Sequence, residues 1–289
     1  MIRLPLLLAM VLLALPARAE FITLQSTTST ENSGLFEHLL PRFTEATGIE
    51  VRVVAVGTGQ AIRNAMRGDG DVLLVHSRAD EEAFVAAGHG EARRDVMHND
   101  FVIVGSAADP AGVKGTADAV GALATIATSG ARFASRGDDS GTHKAERRLW
   151  ADTGVDVDAA SGTWYLETGS GMGATLNTAV GLDAYALTDR ATWAAHGNRG
   201  DHAILVEGDP RLFNQYGVIA VSPERHPNVK AAEARRFVDW LTGPEGQGAI
   251  AAFRVDGQQL FVPNAGAPDD PPGAAERGAA EPAVPARAG

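Results

Sequence analysis

Cysteine is absent from all 289 residues. Its absence excludes disulfides, thiolate metal sites and a lipidated cysteine that would tether an exported chain. Runs of Lys and Arg are missing as well, and the formal net charge is −11. That balance argues against nucleic acid or an anionic membrane surface as partner. Long apolar stretches are missing too, with one exception at the start: Arg3, then Leu4 to Pro16, then Ala17-Arg18-Ala19. The stretch is shorter than the ~20 apolar residues of a spanning helix, and a small-x-small cleavage pattern follows it. Residues 1–19 are therefore expected to be a secretory signal peptide. The mature chain, from Glu20, is expected to be monomeric, free in the periplasm and not membrane-embedded.

What is present is a regular alternation. Strand-like runs at Phe21 to Leu24, Val51 to Val56, Val72 to Val75, Phe101 to Val104, Tyr165-Leu166, Tyr185 to Leu187, Ile204 to Val206 and Val218 to Val221 are separated by helical segments. Leu35, Phe36, Leu39, Leu40 and Phe43 show the helical period, as do Val229, Ala232, Phe237, Trp240 and Leu241. The pattern predicts an α/β fold with a parallel sheet. Residues 264–289 are Pro, Ala, Gly and acidic residues with a single large aliphatic, Val284, and are expected to form a disordered tail.

Asn99 to Gly105 and Asn214 to Val221 each open on polar residues, run into a strand, and bracket the middle third of the chain. Their spacing fits either one uninterrupted sheet or a lobe interrupted by an inserted lobe and joined to it by two crossings.

Three turns carry the chemistry. Ser26-Thr27-Thr28-Ser29-Thr30 follows the first strand, and Val56-Gly57-Thr58-Gly59-Gln60 follows the second. A strand-to-helix turn aims backbone N–H groups and the positive end of a helix at one spot, and short hydroxyls add donors there. The same residues are also good helix caps, so the first turn taken alone reads better as plain structure, and the Gly-Thr-Gly of the second gains weight only from its like position. Ser135-Arg136-Gly137-Asp138-Asp139-Ser140-Gly141-Thr142-His143 says more. Arg136 supplies a charged fork, Ser140 and Thr142 supply hydroxyls, and Gly141 permits a tight turn at a helix start. Asp138 is placed to orient Arg136. Gly169 to Gly173 opens a further helix and reads either as backbone donors or as a packing turn.

Enzyme chemistry fits these residues poorly. Ser140 with His143 three residues on does not give the geometry of a nucleophile and its base, so a serine-type hydrolase is the weaker alternative. The eight histidines, His76 among them, lack paired ligand spacing, and neither a protein-ligated metal nor a cofactor is expected. In so acidic a chain an anion must be held by local donors rather than by net charge.

With these motifs placed, the chain resembles the TupA-type tungstate-binding proteins of ABC importers, from Phe21 to about Pro263. Further blocks that carry the resemblance are Asp71 to His76, Asn99 to Gly105, Ala184 to Arg190 and Val206 to Asp209. The resemblance implies a type II periplasmic-binding-protein fold: two α/β lobes joined by two crossover segments, with the ligand cleft between them. Residues 20–104 and 216–263 would form lobe 1 and residues 105–215 lobe 2. It implies a tetrahedral tungstate or molybdate dianion as ligand and a membrane permease as partner. Carried over by position, Thr27, Thr28, Ser29 and Thr58 would bind from the first lobe. Ser135, Arg136, Ser140, Gly141 and Thr142 would close from the second. Ser26 replaces the family's usual threonine at the start of the first turn.

The Arg136 turn also resembles the Arg-x-Asp-x-Ser-Gly-Thr clamp of phosphate-binding proteins, so phosphate or sulfate is the alternative ligand. Phosphate carries a proton at neutral pH and rewards a carboxylate acceptor, whereas tungstate, molybdate and sulfate want donors only. Tungstate is therefore expected to go with Asp138 and Asp139 turned away from the ligand.

Overall fold

The computed structural model describes residues 20–267; the predicted signal peptide and residues 268–289 of the predicted tail lie outside the described residues. The chain begins with β1 (Phe21–Thr27), α1 (Thr28–Asn32), α2 (Leu35–Thr47), β2 (Glu50–Val56), α3 (Thr58–Met66), β3 (Val72–Val75), α4 (Arg78–Ala86) and the long β4 (Arg94–Ser106). The middle portion holds α5 (Ala119–Ser129), β5 (Phe133–Ser135), α6 (Gly141–Thr153), β6 (Tyr165–Glu167), α7 (Met172–Leu182), β7 (Ala186–Asp189), α8 (Arg190–Ala195) and β8 (His202–Val206). A short turn of 3-10 helix leads to β9 (Phe213–Ala220), α9 (Ala231–Thr242), α10 (Pro244–Ala252) and β10 (Val262–Pro263).

The sheet is mixed, which corrects the parallel sheet expected from the alternation. β2, β1 and β3 are parallel, with helices connecting β1 to β2 and β2 to β3. β9, however, runs antiparallel to β3 and β4, giving the order β10-β4-β9-β3-β1-β2. Strand direction is not written in hydrophobic period. β4 and β9 are traversed in opposite senses, so they pair as antiparallel neighbours.

β4 changes partners along its length. Arg94 to Asp100 pair with β9, whereas Phe101 to Ser106 pair with β7 and β8. The alternation of side chains along a strand then divides the core by face. Ile22, Leu24, Val72, Leu74, Val218 and Ala220 pack on one side of the first strand set, with Leu73, Val75, Ile219 and Val221 on the other. Around the second set, Phe101 and Ile103 join one core while Val102 and Val104 join another. Both strand sets are buried on both faces, which is why their strands read as nearly unbroken apolar runs. At the start of the predicted tail the backbone is still tied down: Asn264 donates to the Gln215 side chain at 2.7 Å, and the Ala265 N–H donates to Gln247 at 3.0 Å.

Candidate functional site

The first turn divides its hydroxyls between two tasks. Thr27 caps α1, accepting from the Thr30 N–H at 3.2 Å and lying 2.8 Å from the Thr30 hydroxyl. Ser26 donates to the Leu74 carbonyl at 2.7 Å. Both are therefore turned into the structure. Ser29 faces the other way and accepts from Arg136 Nη1 at 3.0 Å. Thr28 Oγ1 is buried and has no hydrogen-bond partner among the described residues.

The second and third turns meet each other. Thr58, fully buried at the start of α3, accepts the Gly141 N–H at 2.8 Å. A Cβ on Gly141 would lie 2.9 Å from both Thr58 Oγ1 and His76 Cε1, so only glycine lets the two helix starts approach this closely. Gly137 and Asp139 both hold left-handed backbone, at φ 59° and 58°, which folds the turn back over Arg136. Ser140 caps α6 by accepting the His143 N–H at 3.2 Å. Thr142 is fully buried, and its hydroxyl has no partner among the described residues.

Arg136 is 2% exposed, which requires a counter-charge. Asp138 supplies it: Oδ2 accepts from Nη2 at 2.6 Å and Nε at 3.1 Å, while Oδ1 accepts the Ser140 N–H at 3.2 Å. Both Asp138 oxygens are thereby committed. Asp139 is exposed and lies 3.7 Å from Arg63 and 3.6 Å from Lys144. Of the predicted residues, Ser29 is joined to Arg136 and Thr58 to Gly141, whereas Thr27 and Ser140 are engaged in capping. Ser135 points elsewhere. Its hydroxyl lies 3.0 Å from that of Tyr165, which is 2.6 Å from Glu146 Oε1.

The hydrolase arrangement is not formed. The Ser140 hydroxyl faces a backbone N–H, and His143 Nδ1 accepts the Asp139 N–H at 3.2 Å instead of meeting that hydroxyl. Gly171, the cap of α7, would bring a Cβ within 3.7 Å of Thr28 Oγ1, so the Gly169 to Gly173 turn adjoins the first turn.

Sequence reading assigned no site role to three buried neighbours of Arg136 and Ser29: His76, Asp189 and Thr192. Burial, then the Arg136 charge, push the His76 imidazole down to about 4, so its ring is neutral. Asp189 is fully buried; desolvation raises its carboxyl, opposed by Thr192 and Arg136. Thr192 donates to Asp189 Oδ2 at 2.6 Å and also lies 3.2 Å from the Ser29 carbonyl. The available signal was the Asp189-x-x-Thr192 cap spacing, which reads as an ordinary helix start.

The start of α1 thus meets the buried Arg136 guanidinium, and the starts of α3 and α6 meet each other at Thr58 and Gly141, a setting whose N–H groups and hydroxyls can serve a small anion. The class follows from the comparison with known folds: residues 16–245 match the PBP superfamily domain. A tungstate-binding protein TupA from Peptoclostridium acidaminophilum is 48% identical over 248 residues, covering 84% of this chain and 86% of that one. The solved tungstate-binding protein TupA of Desulfovibrio alaskensis G20 is 47% identical with a TM-score of 0.73, covering 86% of this chain and 100% of that one. The structure of the tungstate ABC transporter from Geobacter sulfurreducens is 48% identical with a TM-score of 0.74, covering 81% and 99%. The chain belongs to the TupA-type family of tungstate-binding proteins, a family of transport binding proteins and not of enzymes. Among the described residues no helix is long and apolar enough to cross a membrane.

Proposed function

We propose that this chain is an exported solute-binding protein that captures tungstate between two α/β lobes and delivers it to the permease of an ABC importer. The strand sets on either side of the β4 switch at Asp100/Phe101 correspond to the two lobes, and β4 and β9 are the crossing strands. Thr28, Ser29 and Thr58 offer donors from the first lobe, Arg136 and Thr142 from the second.

The observation that carries this reading is the pairing of Arg136 with Asp138. The carboxylate that would accept a proton from hydrogen phosphate is consumed by Arg136 and the Ser140 N–H. With Asp138 so engaged, the Arg136 turn offers an anion its guanidinium, hydroxyls and N–H groups, which suits a fully deprotonated tetrahedral dianion. The family relationship favours tungstate over sulfate, and molybdate, nearly equal in size, is its natural competitor. The mature protein purified after export from cells supplied with tungstate, and analysed for metal by mass spectrometry, is expected to carry one tungsten per chain. Tungsten-free protein carrying phosphate would overturn the proposal.

A further inference from the structure

The polar openings of the two crossing strands, Asn99 and Asn214, have no role in the clamp described above. They stand opposite each other in the β4–β9 register, and both are buried. Asn214 Nδ2 donates to Asn99 Oδ1 at 2.7 Å, and Asn99 Nδ2 donates to Asp189 Oδ1 at 3.4 Å. On its other side Asn214 Oδ1 lies 3.1 Å from His76 Nδ1. The direction of this chain is fixed at its far end. The Thr192 backbone N–H, which can only donate, reaches the same Asp189 Oδ1 at 2.9 Å, so that oxygen is an acceptor. Each amide must then present its NH₂ toward Asp189 and its carbonyl toward His76. The imidazole is left to donate from Nδ1.

We infer that Asn99 and Asn214 are positioning residues for the oxyanion site, forming a one-way hydrogen-bond relay that holds His76 as its Nδ1–H tautomer and Asp189 beneath Ser29. The inference rests on the binding reading given above. The relay touches the site at both ends. His76 packs against Gly141, whose N–H meets Thr58, while Thr192 links Asp189 to the Ser29 carbonyl, and the Ser29 hydroxyl meets Arg136. The two sides of the clamp are thus referenced to one pair of strands. Titratable and charged groups around His76 include Arg136 from the β5–α6 turn, Arg78 and Arg148, which line the same cavity, and Tyr216 of β9, whose ring centroid is 4.9 Å from that of His76.

Two leucine variants test the relay, with ring-nitrogen NMR of His76 and tungstate titration as readouts. Wild-type His76 is expected to carry its proton on Nδ1. Asn214→Leu removes the acceptor and releases that tautomer. Asn99→Leu makes no hydrogen bond to His76, yet it frees Asn214 to turn over and is expected to give a mixture of tautomers, which loss of packing alone would not produce. Both variants should bind tungstate about tenfold or more weakly, the cost of losing positioned hydrogen bonds. If Asn99→Leu does not fold, Asn99→Asp keeps the shape, sets a second carboxylate against Asp189 and should disturb the tautomer in the same way. A wild-type His76 protonated on Nε2, or an Asn99 variant with unaltered tautomer and affinity, overturns the relay. Wild-type protein that fails to bind tungstate overturns the binding reading instead, and the tautomer measurement still decides the relay.

Discussion

Arg136 places Nη1 3.0 Å from the Ser29 hydroxyl across 107 residues of sequence, joining the two turns that the sequence alone could only list side by side. That bond brings the charged fork and a neutral hydroxyl to one point. Replacing Arg136 by Ala should cost roughly 1.5 to 3 kcal/mol of binding, the worth of a charge-assisted donor. Lysine restores charge without the fork and should recover only part of it. Titration of both variants with tungstate checks this, and unchanged affinity in the alanine variant would place the clamp elsewhere.

Thr28 and Thr142 each bury a hydroxyl that has no partner among the described residues. An unsatisfied buried polar group costs stability. Thr28→Val and Thr142→Val should therefore leave the thermal stability of the ligand-free protein unchanged or raised, while weakening anion binding by about 1 kcal/mol each. Paired melting and binding measurements separate the two effects. Lowered stability with full affinity would assign these hydroxyls to structure alone.

Glu146 sits fully buried beneath the Arg136 turn, and burial raises its carboxyl from 4.5 to about 8 against the hydrogen bonds from Tyr165 and Ser135. The folded chain thus keeps a proton that the unfolded chain has released between pH 4.5 and about 8, so this group's contribution to stability falls as pH rises through that window. Glu146→Gln removes the dependence. Its melting temperature should gain on the parent's steadily from pH 5 to pH 8, and a constant difference would show that Glu146 is charged in the folded state.

Lys144 of α6 and Asp80 of α4 form an ion pair at 2.7 Å that links the two proposed lobes at the rim of the site. Both side chains are partly exposed, so the pair is worth at most about 1 kcal/mol. Lys144→Met should weaken tungstate binding two- to threefold, roughly 0.5 kcal/mol, at low ionic strength. The difference should vanish at ~1 M salt, where charges are screened within about 3 Å. A salt-independent loss would point to packing instead of charge.

The strand-to-helix turns were legible because hydroxyls and glycines at strand ends have few other uses, and Arg136 within such a turn has fewer still. What Thr27 and Ser140 do was not legible: capping and anion binding ask for the same residue types, and only the three-dimensional path of α1 and α6 assigns the hydroxyl. Ser135 looked like part of the clamp by adjacency, yet alternation along β5 turns it toward Tyr165 and Glu146. The antiparallel placement of β9 was hidden because a period of two carries no direction. The cluster of His76, Asn99, Asp189 and Asn214 escaped notice for a further reason. Asn99, Asp189 and Asn214 lie on three different strands and His76 just beyond a fourth, and nothing short of the fold brings them together.

On this reading the Arg136 clamp selects a tetrahedral dianion that only accepts hydrogen bonds, and that dianion is tungstate. Calorimetric titration of the chain from Glu20 onward against tungstate, molybdate, sulfate and phosphate tests it most directly. One-to-one tungstate binding is expected, rivalled only by molybdate and not displaced by sulfate or phosphate. Tight binding of phosphate or sulfate, with tungstate failing to compete, would contradict it.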